Sequence, residues 1–166
     1  LSNTIQLGPK FSNKAIEKVL TKHHVKFEYC STDILSDIIQ KELSQKKVVG
    51  LFHGHMEFGP RALGSRSILA SPVFPDMQRH LNLKIKLREG FRPFAPVVLD
   101  SEATEWFELN GDNQFMLKTS LAKQGSKIPS CVHVDNSARV QVLAHKDNSL
   151  LYDILRKHHK ETGVPV

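Results

Sequence analysis

Residues 46–70 read KKVVGLFHGHMEFGPRALGSRSILA. The apolar run VVGLF leads to Gly54, a basic loop punctuated by glycines follows, and SRSILA resumes the apolar rhythm. This pattern predicts a buried strand, a loop and a second strand. Gly54, Gly59 and Gly64 permit positive φ and close approach of backbone to a ligand, while Pro60 fixes the path between them. Arg61 and Arg66 add two planar guanidiniums that match paired oxygens better than ammonium groups do. The loop holds no nucleophile–base pair, no Walker GK[ST] and no GxGxxG fingerprint. On its residues alone it is an anion site and nothing more specific.

Working outward, FSNKAIEKVLTKHH predicts a helix capped by Ser12, with Ile16, Val19 and Leu20 at helical spacing. VKFEYC reads as a short strand. STDILSDIIQKEL reads as a second helix, capped by Thr32 and apolar along Ile34, Leu35, Ile38, Ile39 and Leu43. Beyond the loop, PVFPDMQRHLNLKIK predicts a helix with Pro75 in its first turn and Met77, Leu81 and Ile85 on one face. The two prolines of RPFAPVVLD place the start of that strand at an edge or in a loop. SEATEWF reads as a short helix, NQFMLKTS as a strand and LAKQGSKIP as a charged solvent loop. SCVHVD and ARVQVLAH are expected to pair across a turn at Asp135 and Asn136. NSLLYDILRKHHKETG closes as a helix, with Asn148 or Ser149 as cap and Gly163 as stop. Without strict βαβ alternation the expected class is α/β with a mixed sheet.

The chain has 166 residues, one domain by length, 40% hydrophobic and 24% charged, an ordinary globular balance. No run approaches the roughly 20 apolar residues of a membrane helix. Cys30 and Cys131 lack metal-ligand spacing and are expected to be buried free thiols of a reducing compartment. With no leader before Leu1, the cytoplasm is the expected location. The absence of an initiating Met and the closing GVPV, which reads as a strand just starting, are expected of a fragment cut at both ends.

Net charge is +6, and residues 55–92 carry seven Lys/Arg against three acids. Such focusing in under a quarter of the chain suits phosphates or nucleic acid better than a solvated face with interleaved acids. Within it, KIKLREGFRPFAP alternates cations with apolar residues. If residues 86–88 run extended, Lys86 and Arg88 share a face. A cationic pocket floor and an edge strand kept soluble by its cations then remain equal alternatives. His53, His55 and His133 carry no convincing metal spacing, and His158-His159 reads as surface packing near a helix C-terminus.

LGPKFS, HGHMEFGPRALGSRSILASP, LNLKIKLREGFRPFAP, IPSCVHVDNSARVQV and TGVPV, in this order, resemble the C-terminal domain of the O-carbamoyltransferase family. That family includes the nodulation carbamoyltransferases and those of antibiotic biosynthesis. The resemblance runs from Leu7 to Val166 and implies a YrdC-like fold, a twisted, mostly parallel sheet with a basic concave face. It implies that carbamoyl phosphate and ATP, with Mg²⁺ accompanying the nucleotide, form carbamoyl adenylate there. An N-terminal domain of the sugar-kinase/actin-like superfold, holding iron and the acceptor, would then pass the carbamoyl group to a hydroxyl. Lys86-Leu87-Arg88 fits the first half of the K-x-R…S-x-N signature of YrdC-like domains. The chemistry moves charge between anions, so cation clamps rather than a nucleophile are expected. Arg61, Lys86, Arg88 and Arg139 are the expected catalytic contacts, and Arg66 and Arg92 further phosphate contacts. For His133, a hydrogen bond near the carbamoyl group and a plain turn role stay open as alternatives.

Three departures from the family pattern matter. The usual Arg before MEFG is His55, a weaker cation at neutral pH. The usual Gly after HVD is Asn136, which also tolerates a left-handed backbone. The S-x-N half would fall beyond Val166, so weak ATP binding and inactivity are expected of these residues alone. An RNA-gripping YrdC-like module and a threonylcarbamoyl-adenylate synthase are the competing readings. Against the first stands the lack of an aromatic stacking row; against the second stand the GPRALG and FRPFAP strings.

Overall fold

The computed structural model describes residues 5–166. Helix α1 (Asn13–Lys22) starts as expected, with Ser12 Oγ accepting from the Ala15 amide at 3.3 Å, yet none of its residues is buried. Residues 25–30 form no strand; they run along the surface with no ladder partner among the described residues. Helix α2 (Thr32–Ser44) is capped by Ser31 rather than Thr32, because the extended backbone ends one residue earlier.

Strand β1 (Val49–Phe52) pairs antiparallel with β2 (Arg66–Leu69), Val49 opposite Leu69 and Phe52 opposite Arg66. The expected buried strand is instead half of a two-stranded ribbon. One face, through Leu51, packs on Ile39 and Leu43 of α2 and on Leu150 and Ile154. Phe52, on the other face, is exposed.

Helix α3 (Met77–His80) lasts one turn and widens into a π turn over Leu81–Ile85. The wider turn breaks the 3.6-residue rhythm. Met77 and Leu81 stay buried, Asn82 is drawn fully inside, and Ile85 is left exposed, contrary to the expected face. Lys86 follows in helical conformation and Leu87 at φ 48°, so residues 86–88 do not run extended.

Strand β3 (Val97–Leu99) leads to α4 (Ala103–Trp106) and β4 (Phe107–Glu108). Of NQFMLKTS only Ser120 is strand, opening β5 (Ser120–Ala122); residues 113–119 are irregular. LAKQGSKIP is no solvent loop: Ala122, Gly125 and Ile128 are buried. A Cβ on Gly125 would collide with Asn136 Oδ1, so glycine there makes room for the turn that follows. SCVHVD is part of that turn rather than a strand. The amide of Asn136, at φ 61°, donates to His133 O at 2.9 Å, and the His133 amide donates to Ser137 O. β6 (Ser137–Ala138) then pairs with β5, and β7 (Gln141–Leu143) pairs with β3.

The class is therefore mixed α/β, built from three small sheets among the described residues. Of their four ladders only β3–β7 is parallel, which corrects the expected mostly parallel sheet. Helix α5 (Ser149–Thr162) opens on Asn148, closes on Gly163 at φ 73° and buries Leu150, Leu151, Ile154, Leu155 and His158. It is tied to α2 through Lys157 Nζ, 2.7 Å from the buried Ser36 Oγ and paired with Asp33 and Asp37. Beyond it Val164 and Val166 are buried, and Pro165 O accepts from the Leu99 amide at 3.2 Å. Cys131 is buried and free; Cys30, expected inside, is exposed. No helix among the described residues is long and apolar enough to cross a membrane.

Two positions test this packing. Gly64 sits at φ 101°, and a Cβ there would lie 2.5 Å from Leu151 Cδ2 and 3.1 Å from Asn148 Nδ2. Gly64→Ala is expected to cost on the order of 3 kcal/mol in urea unfolding. Gly50→Ala, with nothing within 4 Å of the new methyl, should change stability by about 0.5 kcal/mol or less. His158 is 2% exposed, with Nε2 3.4 Å from Ser71 Oγ and no partner for Nδ1 among the described residues. Burial holds its pKa below the ordinary value of 6.5. The unfolded chain therefore takes up this proton first as pH falls. Stability should decline below about pH 6.5, and in His158→Gln that part of the slope should disappear.

Candidate anion-binding site

The loop between β1 and β2 is organised from inside. Glu57 is 8% exposed, and its Oε1 accepts three amides: Leu63 at 2.8 Å, Ser65 at 2.6 Å and Arg66 at 3.2 Å. Burial pushes its carboxyl up, but the amides of Leu63, Ser65 and Arg66 outweigh this and hold it below the usual glutamate range. The Gly64 amide goes to Ser67 Oγ at 2.9 Å. The backbone cradle expected for a ligand is thus already occupied by the chain's own carboxylate and hydroxyl. The loop carbonyls are held as well: Gln141 Nε2 donates to Leu63 O at 3.2 Å and Asn148 Nδ2 to Gly64 O at 3.1 Å.

Arg66 belongs to the same scaffold. Its guanidinium lies 3.6 Å over the Phe52 ring and donates to the carbonyls of His53, Gly54, Ser65 and Pro9. It thereby clips the ribbon to the GPKF segment, which also bonds through Gly8 N to Met56 O and Met56 N to Pro9 O. His55, where the family pattern has Arg, places Nδ1 2.9 Å from Gly8 O. Beside Arg66, His53 is shifted down by burial and by the charges of Lys10 and Arg66.

A second internal hub is Asn82, fully buried in the π turn. Its Nδ2 donates to Gly90 O at 3.2 Å and Arg92 O at 2.7 Å, and its Oδ1 accepts from Arg88 Nε at 2.7 Å. The Arg88 guanidinium lies 5.0 Å over the Phe94 ring. Residues 86–92 are therefore a loop closed around one amide side chain.

The loops that these two hubs organise line a cleft of about 1150 Å³ through Arg61, Gly64, Arg66, Lys86, Arg88 and Arg92. All seven residues singled out in the sequence line it: Arg61, Arg66, Lys86, Arg88, Arg92, Arg139 and His133. No Asp or Glu lines it among the described residues. Arg61, Lys86 and Arg139 are exposed and have neither hydrogen bond nor ion pair from their side chains among the described residues. Arg92 pairs with Glu89 at 3.0 Å on the rim, while His133 is an exposed turn residue. The inner wall is apolar, with Met77, Leu81, Leu151, Ile154 and the buried His158. Six permanent cations and no lining acid make a strongly positive concavity. Among the described residues no three His, Cys, Asp or Glu gather as metal ligands.

Sequence reasoning missed Glu57, Asn82, Gln141 and Asn148 as supports. The only available signal was a lone acid in a glycine-rich basic loop and an asparagine set between Leu81 and Leu83 of the expected helix. Glu57→Ala would strand three amides that share one buried carboxylate. It is expected to lower stability by about 3 kcal/mol, read as a shift in the denaturation midpoint.

The chain is 38% identical to the uncharacterized protein sll1178 of Synechocystis sp. over 96% of its own length and 30% of the relative's. It is 35% identical to nodulation protein NolNO of Sinorhizobium fredii, over 96% of this chain and 24% of the relative. It is 40% identical to nodulation protein U of the same species, over 75% of this chain and 22% of the relative. The chain thus spans about a third or less of the length of these curated relatives. The carbamoyltransferase C-terminus family model matches residues 40–166, which hold every cleft residue named above, and the chain belongs to that family.

Proposed function

We propose that this cleft binds carbamoyl phosphate and ATP and forms carbamoyl adenylate for transfer to a hydroxyl acceptor. The observation that carries the reading is the cleft's three unpartnered cations, Arg61, Lys86 and Arg139, set among Arg66, Arg88 and Arg92 with no lining acid among the described residues. In the first step water displaces phosphate from carbamoyl phosphate, leaving carbamate and a proton. A carbamate oxygen then attacks the α-phosphorus of ATP, the bond to the β-phosphate oxygen breaks, and pyrophosphate leaves. Both steps pass charge between anions. The protein's part is to hold them in line and screen their repulsion, which needs fixed cations rather than a nucleophile.

Within this reading Arg61, Lys86 and Arg139 contact phosphate and carbamoyl oxygens, and Arg92 serves at the rim. Arg88, aimed by Asn82, adds a guanidinium of fixed orientation. Arg66 acts as a positioning residue, because its donors are engaged with backbone carbonyls. His133 can donate from the turn beside Arg139. Mg²⁺ would be held by the nucleotide's own phosphates, the usual habit of this ion. The family membership supports a YrdC-like fold, here with small and mainly antiparallel sheets, together with a cytoplasmic location and a partner domain that supplies the acceptor and its iron.

The test is carbamoyl-phosphate-dependent exchange of pyrophosphate into ATP, measured in the full-length protein. Arg61→Ala and Lys86→Ala should each lower exchange by roughly 100-fold or more, with circular dichroism unchanged. Wild-type exchange in both folded variants would remove the cleft from the reaction.

A further inference from the structure

A second, smaller cleft of about 590 Å³ adjoins the first. The two share Pro60, Arg61, Met116, Thr119 and Arg139, so two arginines without a side-chain partner among the described residues stand on the wall between them. What the smaller cleft has alone is the tip of the loop at residues 110–118, with Asn110 and Lys118. No Asp or Glu lines it among the described residues, so three cations face it without neutralisation.

The loop is built to present that lysine. Lys118 Nζ donates to Asn110 O at 2.9 Å, which engages one of its three donors and leaves two. Gly111 lies at φ 83°, and a Cβ there would sit 2.9 Å from Nζ, so glycine leaves room for the ammonium. Asn113, 2% exposed, anchors the base: its O accepts from the Val142 amide at 3.1 Å and its Nδ2 donates to Gly111 O at 3.3 Å. The loop's own acid, Asp112, accepts from the Gln114 amide at 2.8 Å and does not line the cleft.

We infer that the smaller cleft is a phosphoryl subsite completed by Lys118, with Arg61 and Arg139 shared across the wall with a nucleotide in the larger cleft. The inference rests on the reading that the larger cleft takes the nucleotide. A compact phosphoryl group needs little room and several converging donors, whereas a nucleotide needs the larger space and its apolar inner wall. Adjacent seats sharing two guanidiniums bring the two anionic substrates together at the point where they must react.

The test is calorimetric titration of the full-length protein with inorganic phosphate, pyrophosphate and AMP. Lys118→Gln should weaken phosphate or pyrophosphate by about tenfold and leave AMP unchanged. Lys118→Arg should restore most of the loss, and Lys84→Gln, outside both clefts, should match wild type. Loss confined to phosphate assigns the subsite to the phosphate of carbamoyl phosphate; loss for pyrophosphate assigns it to the nucleotide's tail, and both support the subsite. Unchanged affinity for both anions in Lys118→Gln, or no binding of either by wild type, overturns it. If AMP binds while Lys118→Gln has no effect, the subsite fails and the nucleotide reading stands. If phosphate binding depends on Lys118 but AMP does not bind, the nucleotide reading fails instead.

Discussion

One buried carboxylate sets the geometry on which the rest of the cleft depends. Glu57 gathers the amides of Leu63, Ser65 and Arg66 on a single oxygen, and so winds residues 57–66 into a closed loop. An ionised carboxylate in this setting is stable only because its hydrogen bonds offset the cost of burial. Once the loop is wound, Gly64 must lie against Leu151 and Asn148, and the loop's carbonyls meet Gln141 and Asn148. The ribbon, β7 and α5 are thereby locked to one another through the loop.

The winding also sorts the cations. Arg66 turns inward and spends its donors on four carbonyls, while Arg61, on the outer turn of the same loop, has none to meet among the described residues. Asn82 does the same for residues 86–92, holding Arg88 by Nε while the Lys86 ammonium has no partner among the described residues. A positive concavity that repels itself has to be held together by something other than its cations. Here that is one internal carboxylate that gathers three backbone amides and one internal amide that bonds two backbone carbonyls and the Arg88 guanidinium.

Much of the fold was legible where local chemistry decides it. The caps at Ser12 and Asn148, the stop at Gly163, the β1–β2 segments and the helical nature of α5 follow from single residues and local pattern. Legibility failed where a long-range contact overrode the pattern. SCVHVD looks like a strand, but Gly125 admits the Asn136 side chain, whose Nδ2 donates to Ala122 O, and a turn results. LNLKIK looks like a regular helix, but three partners for the Asn82 side chain favour a π turn and move Ile85 outward. His158 reads as a surface residue beside His159, yet α5 turns it into the core.

The sequence by itself determined the cationic character of this region and the family membership: a focused run of cations with glycines, carrying strings long enough to identify the family. Composition and motif are local properties, and the focusing of positive charge follows from them. Only the tertiary structure decided which cations face the cleft free and which are consumed holding the chain together. That choice depends on where carbonyls from residues 9, 53, 54 and 65, and an amide from residue 82, converge in space. Spacing along the chain carries no record of such convergence, because hydrogen-bond partners this far apart are set by packing.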